Sequence, residues 1–315
     1  MKNLARVLTL AMVCVLTGCD VMGDVISAAA GPRHHEDFQY THALKPGGRL
    51  TVEGFNGSVE IRGWNEDRVE VRGTKSAYDP AQLREIRITV TGDGNAVQVR
   101  ASRPEKRSGL TGRGGVNFVL SVPRKTLLES VTTSNGPVRV EDVEGNVRVK
   151  TSNGPVKLTG VRGDAVLKTS NGPVDATDFS GSLIAETSNG PVRAEGVKGA
   201  LEVTTSNGPV TVEADGETRG RPVRLQTSNG PVRLTLARLG SDVYVRSSNG
   251  GIELRLPRGT GAAVRALTTN GRVDSGFDTA AAKKTKSVLE GTIGGGGPVM
   301  ELQTTNGGIK LAPSN

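Results

Sequence analysis

Aromatic side chains are scarce in this chain, at 3% of 315 residues, with one Trp, three Tyr and five Phe. So few rings do not fill a wide globular core; they suit a thin interior of small aliphatic side chains. Cysteine is nearly absent. Cys14 and Cys19 are the only two, which excludes a disulfide framework and a thiolate metal cluster. The histidines, His34, His35 and His42, all precede the repeats that dominate the chain. The many serines downstream therefore have no imidazole base. His34-His35-Glu36-Asp37 is a weak metal-binding candidate, and a solvated linker is the simpler reading. No Gly-Lys-Ser/Thr phosphate loop occurs. No apolar run approaches the roughly 20 residues of a spanning helix. Asp164, Asp175 and Asp178 are scattered among lysines and arginines, with no pairing of an acid and a base. Neither enzyme activity nor a metal or other cofactor is expected.

What is present is one motif used again and again. Thr-Ser-Asn-Gly-Pro-Val occurs at 133–138, 151–156, 169–174, 187–192, 205–210 and 227–232, and looser copies surround Asn249, Asn270 and Asn306. The asparagines are Asn135, Asn153, Asn171, Asn189, Asn207, Asn229, Asn249, Asn270 and Asn306, with four steps of 18, then 22, 20 and 21, and a last gap of 36 that equals two periods. A short strict period means one small unit stacked on copies of itself.

Within a unit the apolar residues alternate. Val138 and Val140, then Val147 and Val149, flank Val143, and the same columns recur as Val156, Leu158, Val161, Ala165 and Leu167. Alternation marks strands with one buried face, so each unit holds two short strands and two bends. Asn-Gly between apolar runs also suits antiparallel hairpins. Constant spacing favours a stack instead, with residues i and i+18 one strand spacing apart, about 4.8 Å. The expected fold class is all-β: a right-handed parallel β-helix or β-solenoid of about 18–22 residues per coil, with an irregular N-terminal cap. In that fold the asparagine amides form a hydrogen-bonded ladder and the Thr column a second one. The segments Asp215–Gly220 and Gly294–Gly297 read as outward bulges.

The expected organisation has four parts. Residues 1–18 read as a lipoprotein signal: Lys2 and Arg6, an apolar run from Leu8 to Leu16, then Leu16-Thr17-Gly18-Cys19, with Cys19 as the lipidation site. Loss of Lys2 and Arg6 lowers the net charge from +8 to +6. Residues 19–37 read as a flexible tether, 38–130 as the irregular capping part, and 131–313 as the regular repeats. Asp79-Pro80-Ala81-Gln82-Leu83 resembles a helix start.

Basic residues supply candidate contacts for an anionic partner. Arg139, Lys157 and Arg193 share one outward column, interrupted by Asp175 and Thr211; Lys150 and Lys168 share another, ended by Glu186. A nucleic-acid reader would show a sustained stripe with stacking aromatics, so nucleic acid is not an expected partner. Anionic headgroups, envelope polysaccharide or an acidic envelope protein fit the charge, as does simple solubility. The Thr column has inward parity, which argues against a flat ice-binding face.

Gly48-Arg49-Leu50-Thr51-Val52, Asn56-Gly57-Ser58-Val59-Glu60-Ile61, Gly63-Trp64 and the repeats together resemble a bacterial envelope family usually labelled putative adhesin, of unknown function. It is similar to the head domains called GIN in autotransporter adhesins. The resemblance implies a β-strand-repeat solenoid, secreted or membrane-tethered, without catalytic residues to carry over. The expectation is an exported, lipid-anchored envelope module that presents or binds another envelope component. The competing class is a stress-sensing or regulatory accessory protein.

Overall fold

The computed structural model describes residues 33–103, 114–216 and 220–314. They contain 26 strands, from His34–Glu53 to Ile309–Pro313, and one short helix, Pro80–Glu85. Twenty-four strands form a nearly closed barrel, with 343° closure. This corrects the open right-handed parallel β-solenoid expected from the repeat. A period shows which residues are neighbours from one repeat to the next. It carries no information on how far the walls curve. Strands whose apolar faces all point to one interior hide it best by curling round it, which also removes edges.

The local geometry of each repeat follows from its alternation. In Val138–Glu141 and Val147–Lys150 the valines are buried while Arg139, Arg148 and Lys150 are exposed. Successive repeats pair in parallel. Val138, Val156, Val174 and Val192 are direct partners on one wall, and Val147, Ala165, Leu183 and Leu201 on the other. The two walls enclose one continuous core of Val, Leu, Ile and Ala, in which Phe118 and Phe179 are the large rings.

Both ends depart from this scheme. At the N-terminal end, Val59–Trp64 lies parallel between Gly115–Pro123 and Val138–Glu141. Arg68–Ala77 pairs antiparallel with Gly115–Pro123 and with the first half of His34–Glu53. The second half of that strand crosses to the other wall, parallel to Gly94–Ser102 and Leu127–Thr132. His34–Asp37, expected in the tether, are thus already strand, because their backbone groups are paired with Thr74–Ala77. Residues 130 and 131 fall inside the single strand Leu127–Thr132. The helix begins where expected: Asp79 caps it by accepting from the Ala81 amide at 2.8 Å, with Pro80 in its first turn.

At the C-terminal end the chain order and the spatial order differ. Val299–Thr304 sits between Val243–Asn249 and Ala262–Thr268. Ile309–Pro313 sits between Ile252–Leu256 and Val273–Ser275. The gap of 36 residues does not hold another parallel repeat. It holds Thr279–Lys284 and Val288–Ile293, which pair antiparallel with each other, and Val288–Ile293 pairs antiparallel with Ala262–Thr268. Gly294–Gly297 joins Val288–Ile293 to Val299–Thr304 as a turn and is not a bulge on a regular step. Asp215, Gly216 and Gly220 of the other expected bulge are described, and residues 217–219 lie outside the described residues.

Candidate functional site

The repeated motif assigns a separate physical task to each of its residues. The threonine is buried, and its hydroxyl donates to the glycine carbonyl of the preceding repeat. Thr169 donates to Gly154, Thr187 to Gly172 and Thr205 to Gly190, each at 3.1 Å. Such a buried carbonyl would otherwise lack a donor. The threonines stack on one another, as Thr187 does on Thr205, but their hydroxyls serve the glycine carbonyls and do not form a ladder of their own. The proline carbonyl accepts from the valine amide of the preceding repeat: Val156 donates to Pro173 at 2.9 Å.

The asparagine side chains form one relay. Asn153 Nδ2 donates to Asn135 Oδ1 at 2.7 Å, Asn171 to Asn153 at 2.7 Å, and Asn189 to Asn171 at 2.8 Å. Asn207, Asn229 and Asn249 continue it at 2.7–2.8 Å. Asn306 then donates to Asn249, and Asn270 donates to Asn306, so the last two members stand in reverse chain order. At the other end Asn135 donates to Asn56, whose own amide donates to the Gly114 carbonyl. Asn56 belongs to the diverged Phe55-Asn56-Gly57-Ser58 bend, so the relay begins one bend earlier than the nine spaced asparagines indicate. The asparagines from Asn135 to Asn306 are exposed, and so are Ser134, Ser152, Ser170, Ser188, Ser206, Ser228 and Ser248 beside them. One edge of the barrel is therefore a straight polar stripe of hydroxyls and amides.

The opposite bend carries a shorter side-chain relay that the period alone does not reveal. Asn146 Oδ1 accepts from the Asp164 amide, Asp164 Oδ1 from the Ser182 amide, and Ser182 Oγ from the Ala200 amide. Three different residue types occupy one column, so identity does not betray it. Their shared capacity to accept does.

The basic candidates do not form one patch. Arg139, Lys157 and Arg193 lie on one wall, Lys150 and Lys168 on the other. Arg139 pairs with Glu60 at 3.3 Å and Lys168 with Glu186 at 2.8 Å. Arg193 pairs with Glu195, a bond that raises the guanidinium above its ordinary value. Asp175 stands between Lys157 and Arg193, its Oδ1 buried without a hydrogen-bond partner. Lys150 and Lys157 have no ion pair among the described residues.

A second feature lies on the wall that carries Lys150 and Lys168. Two outward rows, two residues apart along each strand, bound a shallow cleft of about 200 Å³. One row places Glu202, Arg224, Tyr244 and Glu301 on successive strands; the other places Thr204, Gln226, Arg246 and Gln303. The Arg224 guanidinium lies 4.9 Å from the centroid of the Tyr244 ring. Gln303 donates to Glu301 at 2.7 Å, and Arg246 stands 3.9 Å from Glu301.

Among the described residues no group of three His, Cys, Asp or Glu is placed to hold a metal ion, and no helix is long and apolar enough to cross a membrane. His34, His35 and His42 lie on one strand, the first two exposed and His42 half-buried. Cys19, the expected lipidation site, and the signal at 1–18 lie outside the described residues.

Comparison with known proteins gives the following. No curated protein matches this chain. Solved structures that resemble it include a putative cell adhesion protein from Clostridium sporogenes, at 12% identity and a TM-score of 0.25, covering 89% of this chain and 100% of that one. A putative adhesin from Bacteroides fragilis shows 9% identity and a TM-score of 0.34, and a putative lipid binding protein from Parabacteroides distasonis 12% and 0.34; each match covers 89% of this chain and 97% of the other. The family model that matches is Toastrack DUF4097, over residues 48–312, and it replaces the likeness to GIN head domains. With most of its length inside that match, the chain belongs to the Toastrack DUF4097 family.

Proposed function

We propose that this protein is a non-catalytic envelope module, tethered by a lipid on Cys19, that binds an envelope polysaccharide along its outer surface. The observation that carries this reading is the exposed stripe of serine hydroxyls and linked amides. An asparagine in the relay uses one Nδ2 hydrogen and one Oδ1 lone pair on its neighbours and keeps the others for solvent or ligand. The stripe thus offers the same donor and acceptor at every strand spacing, about 4.8 Å. A polymer of hydroxylated units meets many equivalent weak contacts there, and affinity grows with the number engaged. Lys150 and Lys157, without an ion pair among the described residues, add attraction for an acidic chain, which salt weakens.

The test uses mature protein and a version lacking residues 154–171, one complete repeat, titrated against acidic glycans of several lengths. Affinity rises with glycan length, and the shortened protein shows a graded loss. Affinity independent of length, or complete loss on removing one repeat, would instead indicate one discrete partner site. For the tether, Cys19→Ala abolishes metabolic labelling with a fatty-acid analogue; equal labelling of the variant refutes the anchor.

A further inference from the structure

We infer that the cleft around Tyr244 is a discrete subsite for a carboxylate-bearing sugar unit. The inference rests on the polysaccharide reading above and gives it one specific address.

Three observations carry it. First, Tyr244 is a half-buried ring on the outward row that runs through Val166, Ile184, Glu202, Arg224 and Glu301. A ring held in that position offers a flat face of the kind that packs against the C–H face of a pyranose. Second, Arg224 lies directly across the ladder from Glu202, yet it makes no ion pair within the described residues and stacks instead on Tyr244, at 4.9 Å from the ring centroid. A stacked guanidinium keeps its N–H edge available for a carboxylate, which it can bind through two parallel hydrogen bonds. Arg246, in the facing row, is held within the described residues by a long 3.9 Å contact to Glu301. Third, the same cleft carries Glu202 and Gln226, which accept or donate hydrogen bonds to hydroxyls.

The mixture of charges selects the ligand class. Two arginines favour an anion, whereas Glu202 and Glu301 repel a doubly charged phosphate and give it no donor to accept from. A sugar acid carries one negative charge together with several hydroxyl donors, so it satisfies both halves of the cleft. A neutral sugar would leave the Arg224 guanidinium edge without a counter-charge.

The test is calorimetric titration of the mature protein with a tetrasaccharide of alternating glucuronic acid and N-acetylglucosamine. Its carboxyl-reduced counterpart and inorganic phosphate serve as competitors. The expected result is binding of one tetrasaccharide per protein, weakened about tenfold or more by Tyr244→Ala or Arg224→Gln and also by carboxyl reduction. Tyr244→Phe retains binding, because it keeps the ring. Far-UV circular dichroism matched to the parent shows that each variant is folded. Unaltered affinity in Tyr244→Ala, equal binding of the carboxyl-reduced sugar, or displacement by phosphate at comparable concentration each overturns the assignment. So does absence of binding by the parent protein. If long glycans still bind with length dependence in those cases, the stripe reading stands while the subsite falls. If neither long nor short glycans bind, both fall.

Discussion

Replacing Gly172 by alanine tests how tightly the repeats are packed on one another. Gly172 is buried, and its φ is not in the left-handed region, so the obstacle to a side chain is space alone. An ideal Cβ at this position overlaps the Gly154 carbonyl oxygen, lies 2.5 Å from that carbonyl's carbon and 3.0 Å from the Pro155 nitrogen. All three atoms are backbone, so no rotamer can yield. Restoring ordinary carbon contacts requires the repeats to separate by about 1 Å. The hydrogen bonds that span that junction include three close to the clash: Gly154 N–H to Asn171 O at 3.1 Å, Val156 N–H to Pro173 O at 2.9 Å, and Asn171 Nδ2 to Asn153 Oδ1 at 2.7 Å. Stretching them by the same amount takes all three beyond hydrogen-bonding distance. Overpacking alone costs about 1–3 kcal/mol, and the weakened bonds bring the expected loss to about 2–4 kcal/mol. Equilibrium urea unfolding by far-UV circular dichroism measures it, with Arg139→Ser as a surface control expected within about 0.5 kcal/mol. A Gly172→Ala protein as stable as the control would refute the close approach of the repeats.

Thr187→Val preserves shape but removes the side-chain donor that the Gly172 carbonyl has among the described residues, and a loss of about 1–3 kcal/mol is expected in the same unfolding assay. Asn153→Leu removes two relay bonds, to Asn135 and from Asn171. Because that stripe is exposed, the abandoned amides turn to water, and the cost is nearer 1 kcal/mol; a larger loss for Asn153→Leu than for Thr187→Val would reverse the assignment of buried and exposed roles. Asp93 accepts from the Asn95 and Ala96 amides, both at 2.9 Å, which holds its carboxyl below the ordinary 3.8. A depressed folded value means that its stabilisation of the Arg87–Ser102 hairpin is complete above the unfolded value. It is lost as pH falls through the folded one. Carboxyl NMR titration checks this, and a midpoint at or above 3.8 contradicts it.

Much of the repeat was legible because its residues are identical where they touch. Val138, Val156 and Val174 share a column in the sequence and are partners in space. The asparagine spacing likewise identified the members of the relay from Asn135 to Asn249. Three things were not legible. Closure of the barrel depends on wall curvature, which no period encodes. The placement of Asn306 before Asn270 was hidden because both sit in equivalent Thr-Thr-Asn-Gly bends, so neither names its neighbour. The Tyr244 cleft was missed because its residues come from strands far apart in the chain: Glu202 and Gln303 each look like ordinary outward polar positions until the strands are laid side by side. The buried side of Thr187 was readable from parity, but the acceptor of its hydroxyl required the glycine carbonyl to be in view.

The exchanged order at the C-terminal end has a consequence for synthesis. A chain emerging from its N-terminus delivers Ala262–Ser275 before Val299–Pro313, yet the later strands occupy the inner positions, between Val243–Leu256 and the earlier pair. Growth therefore cannot proceed by simple addition to the last strand made. The slot must stay open, or Ala262–Ser275 must be carried outward, until Val299–Pro313 arrive. A chain released early would be more than a shorter version of the protein. It would lack an internal layer, and the edges of Val243–Asn249 and Ile252–Leu256 would stand unpaired. Val299–Thr304 and Ile309–Pro313 thus act as the key that locks this end of the barrel.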